Sequence, residues 1–326
     1  MESFEEERTS MKAIVIGRAI VIVGPTSTGK TSLSVELCKK LGGEIISADS
    51  RQIYKHMDVG TGKLPLGNPS DIKKGEGFWE LDGIKVWGYD LVSPDQYFSS
   101  YDFAKYALEK TGEIFSRGKN VFLVGGTGYY VDTVTGKLVL NTNIEPDFEL
   151  RAELENKPLP ELQSLLTSLN LEAFKKIDKN NPVRLIRAIE KEKGVKKNLT
   201  PLPRFGAEFI YIGLTGPREF LYSKADKWVE AVWKNGLIPE TEKLLSMNFG
   251  PFPPLRGLVY KTAVSFLNKE IPQDGAVQRI KFDIHAYIRR QQTWFKRNPN
   301  ISWFDVSVDS YGENVYNFTK EKLKNG

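Results

Sequence analysis

The sequence predicts an α/β fold in which a doubly wound parallel sheet carries an inserted small helical domain and is completed by C-terminal helices. Short apolar segments rich in β-branched residues, such as AIVIV at 19–23, are typical of strands buried on both faces. Helical patterns alternate with these segments, as they do in parallel sheets. One stretch, 143–182, has short helical patterns without convincing strands and interrupts the alternation.

The first half of the chain supplies three of the strands. AIVIV runs into a loop, and the amphipathic sequence TSLSVELCKKLG then predicts a helix that ends at a pair of glycines. Ligands of such sheets bind at the carboxyl ends of the strands, so the residues that follow each strand are candidates for function. The predicted elements are, in order, a strand at 19–23, a helix at 31–42, a strand at 44–47, a helix at 101–117 and a strand at 120–124.

The second half contains a fourth strand, FIYIGL at 209–214. Because a strand returns after the helical stretch, that stretch is inserted into the core rather than appended to it. Helical patterns follow over 217–247 and 255–297, and the Gly-rich, hairpin-like segment 66–86 is interpreted as a surface excursion. The predicted domains are a core at 17–142 and 183–305, an inserted helical domain at 143–182 and a polar C-terminal tail at 306–326.

The composition excludes several classes of protein. The single Cys38 cannot form an internal disulfide framework and suits a reducing cytosol, and with only His56 and His285 no Cys/His zinc cluster can be assembled. No apolar run approaches the length of a membrane span, and the polar first residues are unlike a signal peptide. The net charge of +5 permits a polyanionic partner without requiring one. A cytoplasmic protein without a membrane partner is therefore expected.

The segment GPTSTGKT at 24–31 matches the pattern G-x-x-x-x-G-K-[ST] of a phosphate-binding loop. Such a loop turns backbone N–H groups and a helix N-terminus towards one anion. Lys30 would add a positive charge and the Thr31 hydroxyl would ligate Mg²⁺. A glycine turn without a ligand is the alternative, which the strand before the motif and the helix after it disfavour. The motif does not identify the phosphate compound.

A carboxylate follows the second predicted strand. Asp49, in ISADSRQIYKHMDVGTGK, lies where a reacting group belongs in an open α/β sheet. It can be a Mg²⁺ ligand, a general base that accepts a proton from a nucleophile, or a residue that caps a turn. The residues alone leave these three interpretations open.

The last helical pattern is strongly basic. Residues 279–297 contain six basic residues and one acidic residue, Asp283, with Tyr287, Trp294 and Phe295 between them. Isoleucines at a spacing of four residues form a core stripe and leave several arginines for another face. RNA contact and a solvated basic surface are equally compatible with this pattern.

Five segments together resemble one enzyme family. GPTSTGKT, ISADSRQIYKHMDVGTGK, LVGGTGYY, NNPVRLIRAIE and RRQQTWFKR occur in the order found in bacterial tRNA dimethylallyltransferases, and the resemblance covers roughly 19–305. It implies a P-loop-type core, a monomer and the use of Mg²⁺. It also implies transfer of a dimethylallyl group from dimethylallyl diphosphate to N6 of adenosine 37, in the anticodon stem-loop of tRNA. The loop would then hold the diphosphate of the donor.

The resemblance also implies roles for individual residues. Asp49 would be the general base, Thr127 would help to hold the reacting centre, and Thr31 would bind the metal. The implied diphosphate ligands are Gly24, Thr26, Ser27, Thr28, Gly29, Lys30, Thr31 and Lys227. The implied tRNA contacts are Asp49, Ser50, Arg51, Gln52, Arg151, Val183, Arg184, Leu185, Ile186, Arg187, Arg256, Tyr260, Lys261, Arg289, Arg290 and Trp294.

The sequence departs from the family pattern at two places. Where the family has arginines after the returning strand, this chain has Lys224 and Lys227, and a lysine cannot form the bidentate contact of a guanidinium with phosphate. The usual Gly-Tyr pair is replaced by Val259-Tyr260. The assignment of Lys227 to the diphosphate therefore depends on its charge alone.

Three other functions are compatible with parts of the sequence. An adenylate isopentenyltransferase would use the same loop and Asp49 on free AMP, ADP or ATP, but it would need neither the inserted helices nor the basic segment. A small-molecule kinase would bind ATP in the loop. A non-catalytic RNA-binding protein would not depend on Asp49.

Overall fold

The computed structural model describes residues 17–64, 71–138, 146–194 and 207–325. The chain divides into two compact units, one formed by Met1–Leu138 with Arg204–Gly326 and the other by Val139–Pro203. The strands are β1 (Gly17–Val23), β2 (Gly43–Ser47), β3 (Ile72–Gly75), β4 (Phe78–Leu81), β5 (Ile84–Trp87), β6 (Asn120–Gly125), β7 (Ala207–Thr215) and β8 (Ser302–Asp305). The helices are α1 (Lys30–Leu41), α2 (Ser100–Ser116), α3 (Gly128–Val134), α4 (Phe148–Glu155), α5 (Leu159–Leu169), α6 (Leu171–Lys176), α7 (Pro182–Lys193), α8 (Arg218–Val232), α9 (Ile238–Ser246), α10 (Leu258–Leu267), α11 (Gln273–Phe295) and α12 (Tyr311–Lys324).

The first unit is built on an eight-stranded sheet with the order β3-β4-β5-β2-β6-β1-β7-β8. Strands β5, β2, β6, β1, β7 and β8 pair in parallel, whereas β3 and β4 are antiparallel at one edge. The predicted fold class is confirmed, and β1, β2, β6 and β7 are the four predicted strands. No helix in the described ranges has both the length and the apolar character needed to cross a bilayer.

The register of the three central strands sets their carboxyl ends level. Val124 of β6 is opposite Ile22 of β1 on one side and Ser47 of β2 on the other. Beyond the last pair, the Ala48 N–H donates to the Val124 carbonyl oxygen at 2.7 Å. The segments that follow β1, β2 and β6 therefore begin side by side at one edge of the sheet.

Burial of apolar side chains holds the first unit together. The side chains of β1 from Ala19 to Val23 are fully buried, as predicted for a strand covered on both faces. On α11, Ile280, Ile284 and Ile288 are 0–2% exposed and form the predicted core stripe. Each such side chain contributes about 1.5–3 kcal/mol to the free energy of unfolding.

The prediction of a surface excursion at 66–86 is wrong for the part that the structure describes. Residues 71–86 contribute β3, β4 and most of β5, which extend the sheet. The Trp79 side chain is fully buried and its Nε1–H donates to Asp90 Oδ2 at 2.6 Å. Strands of four residues that carry several charged side chains resemble a loop in sequence, although the Trp79, Leu81 and Val86 side chains are buried. Residues 66–70 lie outside the described residues.

The region predicted as a polar C-terminal tail, 306–326, contains a packed helix. Its residues include α12, in which Val315 and Thr319 are fully buried. The Thr319 hydroxyl donates to the Val315 carbonyl oxygen at 2.7 Å, so a polar residue is accommodated in the packed face. Tyr311, Phe318 and Leu323 also pack against the core, so α12 is part of the first unit and the prediction of a tail is wrong.

The second unit consists of α4, α5, α6 and α7. Its core includes Leu154, Leu162 and Leu166 together with Leu185 and Ile189 of α7. The helical character predicted for this region is confirmed, but the predicted boundary is wrong because α7 lies in this unit and not in the core that begins at residue 183.

A buried carboxylate ties the helices of the second unit together. Glu190 is fully buried and accepts hydrogen bonds from Asp147 N–H at 2.7 Å and Arg151 Nε at 2.8 Å. Arg187 forms an ion pair with the same carboxylate. The charge of Glu190 is thus compensated by residues of α4 and α7 within the unit.

A second buried ionic network lies in the first unit. The Lys63 side chain is fully buried, and its ammonium contacts Asp58 Oδ1 at 3.0 Å and Asp90 Oδ1 at 2.5 Å. Lys74, on β3, contacts the other oxygen of Asp58 at 2.6 Å but is 54% exposed. Lys63 therefore links the segment after residue 57 to the antiparallel edge of the sheet.

Replacement of Lys63 by methionine should lower the free energy of unfolding by about 3–5 kcal/mol, because it leaves two carboxylates without their buried cation. The matched variant Lys74→Met removes an exposed partner of the same Asp58 and should cost about 0–1 kcal/mol. Urea denaturation of both variants measures the difference. Equal losses would show that Lys63 does not hold this network.

Candidate active site

A cavity of about 480 Å³ opens at the edge of the sheet where β1, β2 and β6 end. This volume is within the range of small-molecule sites. Much of its wall comes from the segments that the sequence singled out. The predicted site residues that line it are Thr26, Ser27, Gly29, Lys30, Thr31, Asp49, Arg51, Gln52 and Lys227.

The phosphate loop connects β1 to α1 as predicted. Gly24, with φ of 149°, leaves no room for a side chain because a Cβ there would lie 2.4 Å from the Leu214 carbonyl oxygen. Ser27 and Gly29 also have positive φ, which turns the intervening backbone. Thr28 is fully buried and its hydroxyl donates to the Pro25 carbonyl oxygen, so only its backbone can serve an anion.

The Lys30 ammonium faces into this loop. It donates to the Pro25 carbonyl oxygen at 2.8 Å. Burial lowers the pKa of Lys30 to about 8, although the negative charge of Asp49 acts in the opposite direction. Burial removes the Lys30 ammonium from water at a cost in free energy, and an anion bound in the loop would offset this cost.

Thr31, the second residue of α1, lies beside a buried tyrosine. Tyr89 is 1% exposed and its hydroxyl is hydrogen-bonded to the Thr31 side chain, which orients it. In the described ranges no three His, Cys, Asp or Glu side chains form a metal-ligand cluster. A hydroxyl beside an anion loop suits Mg²⁺, which takes most of its ligands from water and substrate phosphates.

Asp49 also lines the cavity, as the second residue after β2. The Arg51 N–H donates to its Oδ1 at 3.0 Å, which fixes the orientation of the carboxylate. The negative charge of Asp49 acts on Lys30 and on Tyr287. Asp49 is therefore a carboxylate of defined orientation within electrostatic range of the phosphate loop.

Thr127 is brought next to the Asp49 segment by the pairing of β2 with β6. Its Oγ1 accepts the Ser50 N–H at 3.0 Å and lies 3.3 Å from Ser50 Oγ. The Tyr287 hydroxyl is hydrogen-bonded to the Thr127 side chain, and burial raises the pKa of Tyr287 to about 12. A neutral tyrosine thus contacts Thr127 and lies within electrostatic range of Asp49.

Two residues that hold the backbone of the site in place were not predicted from the sequence. Gln291 of α11 is 4% exposed and bridges the phosphate loop and the segment after β6. Glu240 of α9 accepts the N–H groups of Asp58, Val59 and Gly60 at 2.7–3.0 Å and so holds the loop before Lys63. Their partners are more than 160 residues away in sequence, and no local pattern reveals such contacts.

Tyr260, predicted to contact tRNA, is a structural residue. It is 2% exposed, and its hydroxyl donates to Glu240 Oε1 at 2.6 Å. Burial and the charge of Glu240 hold the pKa of Tyr260 well above its usual range. Its side chain is not accessible to an RNA, so this prediction is wrong. Gln52 is 9% exposed and uses its amide to bind Ser47 and the carbonyl groups of residues 61 and 62.

Four of the five arginines and lysines of the first unit that were predicted to contact RNA are exposed, namely Arg256, Lys261, Arg289 and Arg290, whereas Arg51 is half-buried. Arg290 lies 5.7 Å from the Tyr287 ring centroid and Arg51 lies 5.2 Å from the same ring. Arg289 donates to the Tyr222 hydroxyl at 2.7 Å. The basic face of α11 therefore continues to Tyr287 at the cavity wall.

Trp294, which the resemblance assigns to tRNA contact, is held against a neighbouring helix. It is half-buried, its Nε1–H donates to Asp132 Oδ2 at 2.8 Å, and its ring contacts Tyr129 edge to face at 6.2 Å. These contacts fix the indole against α3.

The predicted RNA contacts in the second unit fall into two groups. Val183 is 74% exposed and the Arg184 side chain is 62% exposed, so both are accessible. Leu185 and Ile186 are buried in the core of that unit, and the prediction that their side chains contact RNA is wrong. Arg151 and Arg187 of this unit are paired with the buried Glu190.

Lys224 and Lys227 of α8 are exposed and both line the cavity. Their charges complement those of an anion in the phosphate loop. The assignment of Lys227 to the diphosphate stays a prediction.

Comparison with known proteins identifies the family. The IPP transferase family matches residues 52–298, and the isopentenyl transferase family matches residues 17–76. A tRNA dimethylallyltransferase of Acetivibrio thermocellus is 38% identical, with 88% of this chain and 91% of the relative covered. A tRNA dimethylallyltransferase of Clostridioides difficile is 35% identical over 94% of this chain and 98% of the relative.

This chain is also similar to a solved structure. The full-length tRNA isopentenylpyrophosphate transferase of Bacillus halodurans superimposes with a TM-score of 0.68 and 33% identity, covering 94% of this chain and 97% of that one. Fold and sequence thus agree with the resemblance found in the five motifs. The chain belongs to the IPP transferase family, whose relatives include the tRNA dimethylallyltransferases.

Proposed function

We propose that this chain transfers the dimethylallyl group of dimethylallyl diphosphate to N6 of adenosine 37 in the anticodon stem-loop of a tRNA and releases diphosphate. The observation that carries the proposal is that one cavity is lined both by the phosphate loop with Lys30 and by Asp49. The activity named for the relatives at 35–38% identity supports the choice of donor and acceptor.

The donor end of the cavity stabilises a leaving diphosphate. When the allylic C1–O bond breaks, the electron pair and negative charge go to the diphosphate oxygen. The loop N–H groups and the Lys30 ammonium face the position where that charge develops. The charges of Lys224 and Lys227 act from α8 on the same region.

The acceptor end activates a weak nucleophile. The lone pair of the adenine amino group is delocalised into the ring, so removal of a proton must accompany attack. The new bond forms between N6 and C1, and the N6 proton passes to the Asp49 carboxylate. Thr127, held by Ser50 and Tyr287, would bind and orient the amino group next to this base.

Mg²⁺ fits the donor end of the site. The Thr31 hydroxyl would be its protein ligand, and water and diphosphate oxygens would complete the shell. When bound, Mg²⁺ would neutralise part of the charge on the diphosphate.

The tRNA would lie across the basic residues near Tyr287. Arg289, Arg290 and Lys261 offer charges to phosphates, and the aromatic ring between Arg51 and Arg290 lies at the cavity. Val183 and Arg184 would contribute contacts from the second unit. A base that is to react inside a cavity must leave its stack.

Transfer of radiolabel from dimethylallyl diphosphate tests this function directly. In the presence of Mg²⁺, label should enter an unmodified tRNA and should be lost when adenosine 37 is replaced. Label on free AMP would instead indicate an adenylate isopentenyltransferase. Label on neither acceptor from a folded protein would contradict the proposal and favour a kinase.

Replacement of Asp49 by asparagine should lower the single-turnover rate by about 10²–10⁴-fold, the usual effect of removing a general base. Binding of tRNA and dimethylallyl diphosphate should be retained, because the amide has the same shape. Asp95→Asn, at an exposed position, is the matched control. An unchanged rate for Asp49→Asn would remove Asp49 from this role.

Affinity for inorganic pyrophosphate should depend on the charge of Lys30. Because the pKa of Lys30 is about 8 in the free protein, the ammonium is charged below pH 8 and neutral above it. Between pH 7 and 9, the Kd of the wild-type protein for pyrophosphate should therefore rise about tenfold more than the Kd of Lys30→Met does. The ionisation of pyrophosphate is common to both proteins and cancels in their ratio. Parallel pH profiles would contradict the assignment.

Loss of a phosphate-contacting arginine should reduce the salt dependence of tRNA binding. For Arg289→Gln or Arg290→Gln, the slope of log K against log salt concentration should fall by about 1. Arg218→Gln, exposed on α8, is the control and should keep the wild-type slope. Fluorescence anisotropy between 50 and 300 mM salt, roughly the range in which such slopes are measured, gives the comparison. A wild-type slope for both α11 variants would place the RNA elsewhere.

A further inference from the structure

The Gln291 side chain of α11 is hydrogen-bonded both to the phosphate loop and to the segment that precedes Thr127. Gln291 Oε1 accepts the Thr26 N–H at 2.9 Å, and Gln291 Nε2 donates to the Gly126 carbonyl oxygen at 2.9 Å. Thr26 offers only a donor there and Gly126 only an acceptor, so the amide has one orientation that satisfies both. Neither a carboxylate nor an apolar side chain can do the same.

The bridge is buried and closely fitted. Gln291 is 4% exposed and lines the cavity. A Cβ at Gly126 would lie 2.2 Å from Gln291 Nε2, so the backbone approaches the amide as closely as only glycine allows. Buried amides with both groups satisfied specify a unique geometry, because the loss of either bond leaves a polar group without a partner.

The two bridged segments carry different halves of the site. Thr26 belongs to the phosphate loop, four residues before Lys30, whereas Gly126 directly precedes Thr127. In the sheet these segments follow adjacent strands, β1 and β6, but the strand hydrogen bonds end at Val23 and Gly125. Beyond that point, Gln291 is a direct connection between the segments.

We propose that Gln291 is a positioning residue that fixes the distance between the diphosphate of the donor and the amino group of the acceptor. It touches neither reacting atom and acts through Thr26 and Gly126. The proposal rests on the proposed function, since it concerns the alignment of N6, C1 and the leaving oxygen. Misplacement of reacting groups by about 1 Å can cost 10²-fold in rate.

The test compares Gln291→Met and Gln291→Glu with the matched control Gln292→Met, a half-buried glutamine at the next position of α11. With both substrates saturating, Gln291→Met should lower the single-turnover rate about 10–100-fold, with little change in KM. Gln292→Met should retain the wild-type rate. Loss of thermal stability or a higher KM with an unchanged saturated rate would show that Gln291 only fills space.

The pH dependence of the Gln291→Glu variant distinguishes a bridging role of Gln291 from a space-filling role. Its carboxylate keeps an acceptor for Thr26 but faces the Gly126 carbonyl oxygen without a proton. Burial raises the pKa of such a carboxyl group, so protonation at lower pH restores the donor. The rate of Gln291→Glu relative to wild type should therefore rise as the pH falls from about 8 to 6. A ratio that is independent of pH would overturn the proposal.

Failure of the proposed function can be separated from failure of the bridge. If the wild-type protein transfers no label to tRNA, the function is wrong whatever Gln291 does. The melting temperature and the pyrophosphate affinity of Gln291→Glu, each relative to wild type, then report on the bridge without any turnover. Both should rise as the pH falls, and values that do not change with pH would contradict the bridge.

Discussion

The parallel pairing of β2, β6 and β1 is the constraint on which the rest of the site depends. Val124 stands opposite both Ile22 and Ser47, so the segments that leave the three strands start at one level. The phosphate loop, the Asp49 segment and the Thr127 segment are far apart in sequence, yet Gly24, Asp49 and Thr127 are only two, two and three residues beyond this row. Hydrogen bonds between segments then refine an arrangement that the sheet has already set.

The surrounding helices supply the other side chains that form and support the site. Helix α11 buries one isoleucine face, directs Gln291 at the loops, places Tyr287 beside Thr127 and exposes Arg289 and Arg290. A single helix therefore joins the core, the reacting centre and the basic surface. Helices α9 and α10 act more indirectly, since Glu240 and Tyr260 hold the backbone of residues 58–60 against the cavity. Electrostatics complete the site, because Lys30 is held partly desolvated until an anion compensates its charge.

Local sequence was enough to predict the parts of this molecule that have a strong local signature. Continuous β-branched runs identified β1, β2, β6 and β7, and GPTSTGKT identified the loop with Lys30 and Thr31. The strands β3, β4, β5 and β8 were missed because each has only four residues, and the helix α12 was missed because most of its residues are polar. Gln291, Glu240 and Tyr89 were missed because their partners lie on other elements. Leu185, Ile186 and Tyr260 were assigned to RNA from matched motifs, although burial removes their side chains from the surface.

In the proposed function, the loop between β1 and α1 holds the diphosphate of a prenyl donor and not a nucleoside triphosphate. Isothermal titration of the protein with dimethylallyl diphosphate and with ATP, each with Mg²⁺, distinguishes these two ligands. Dimethylallyl diphosphate should bind, Lys30→Met should weaken its binding, and an equal concentration of ATP should not displace it. Tight binding of ATP together with no binding of dimethylallyl diphosphate would show that the loop is a nucleotide site.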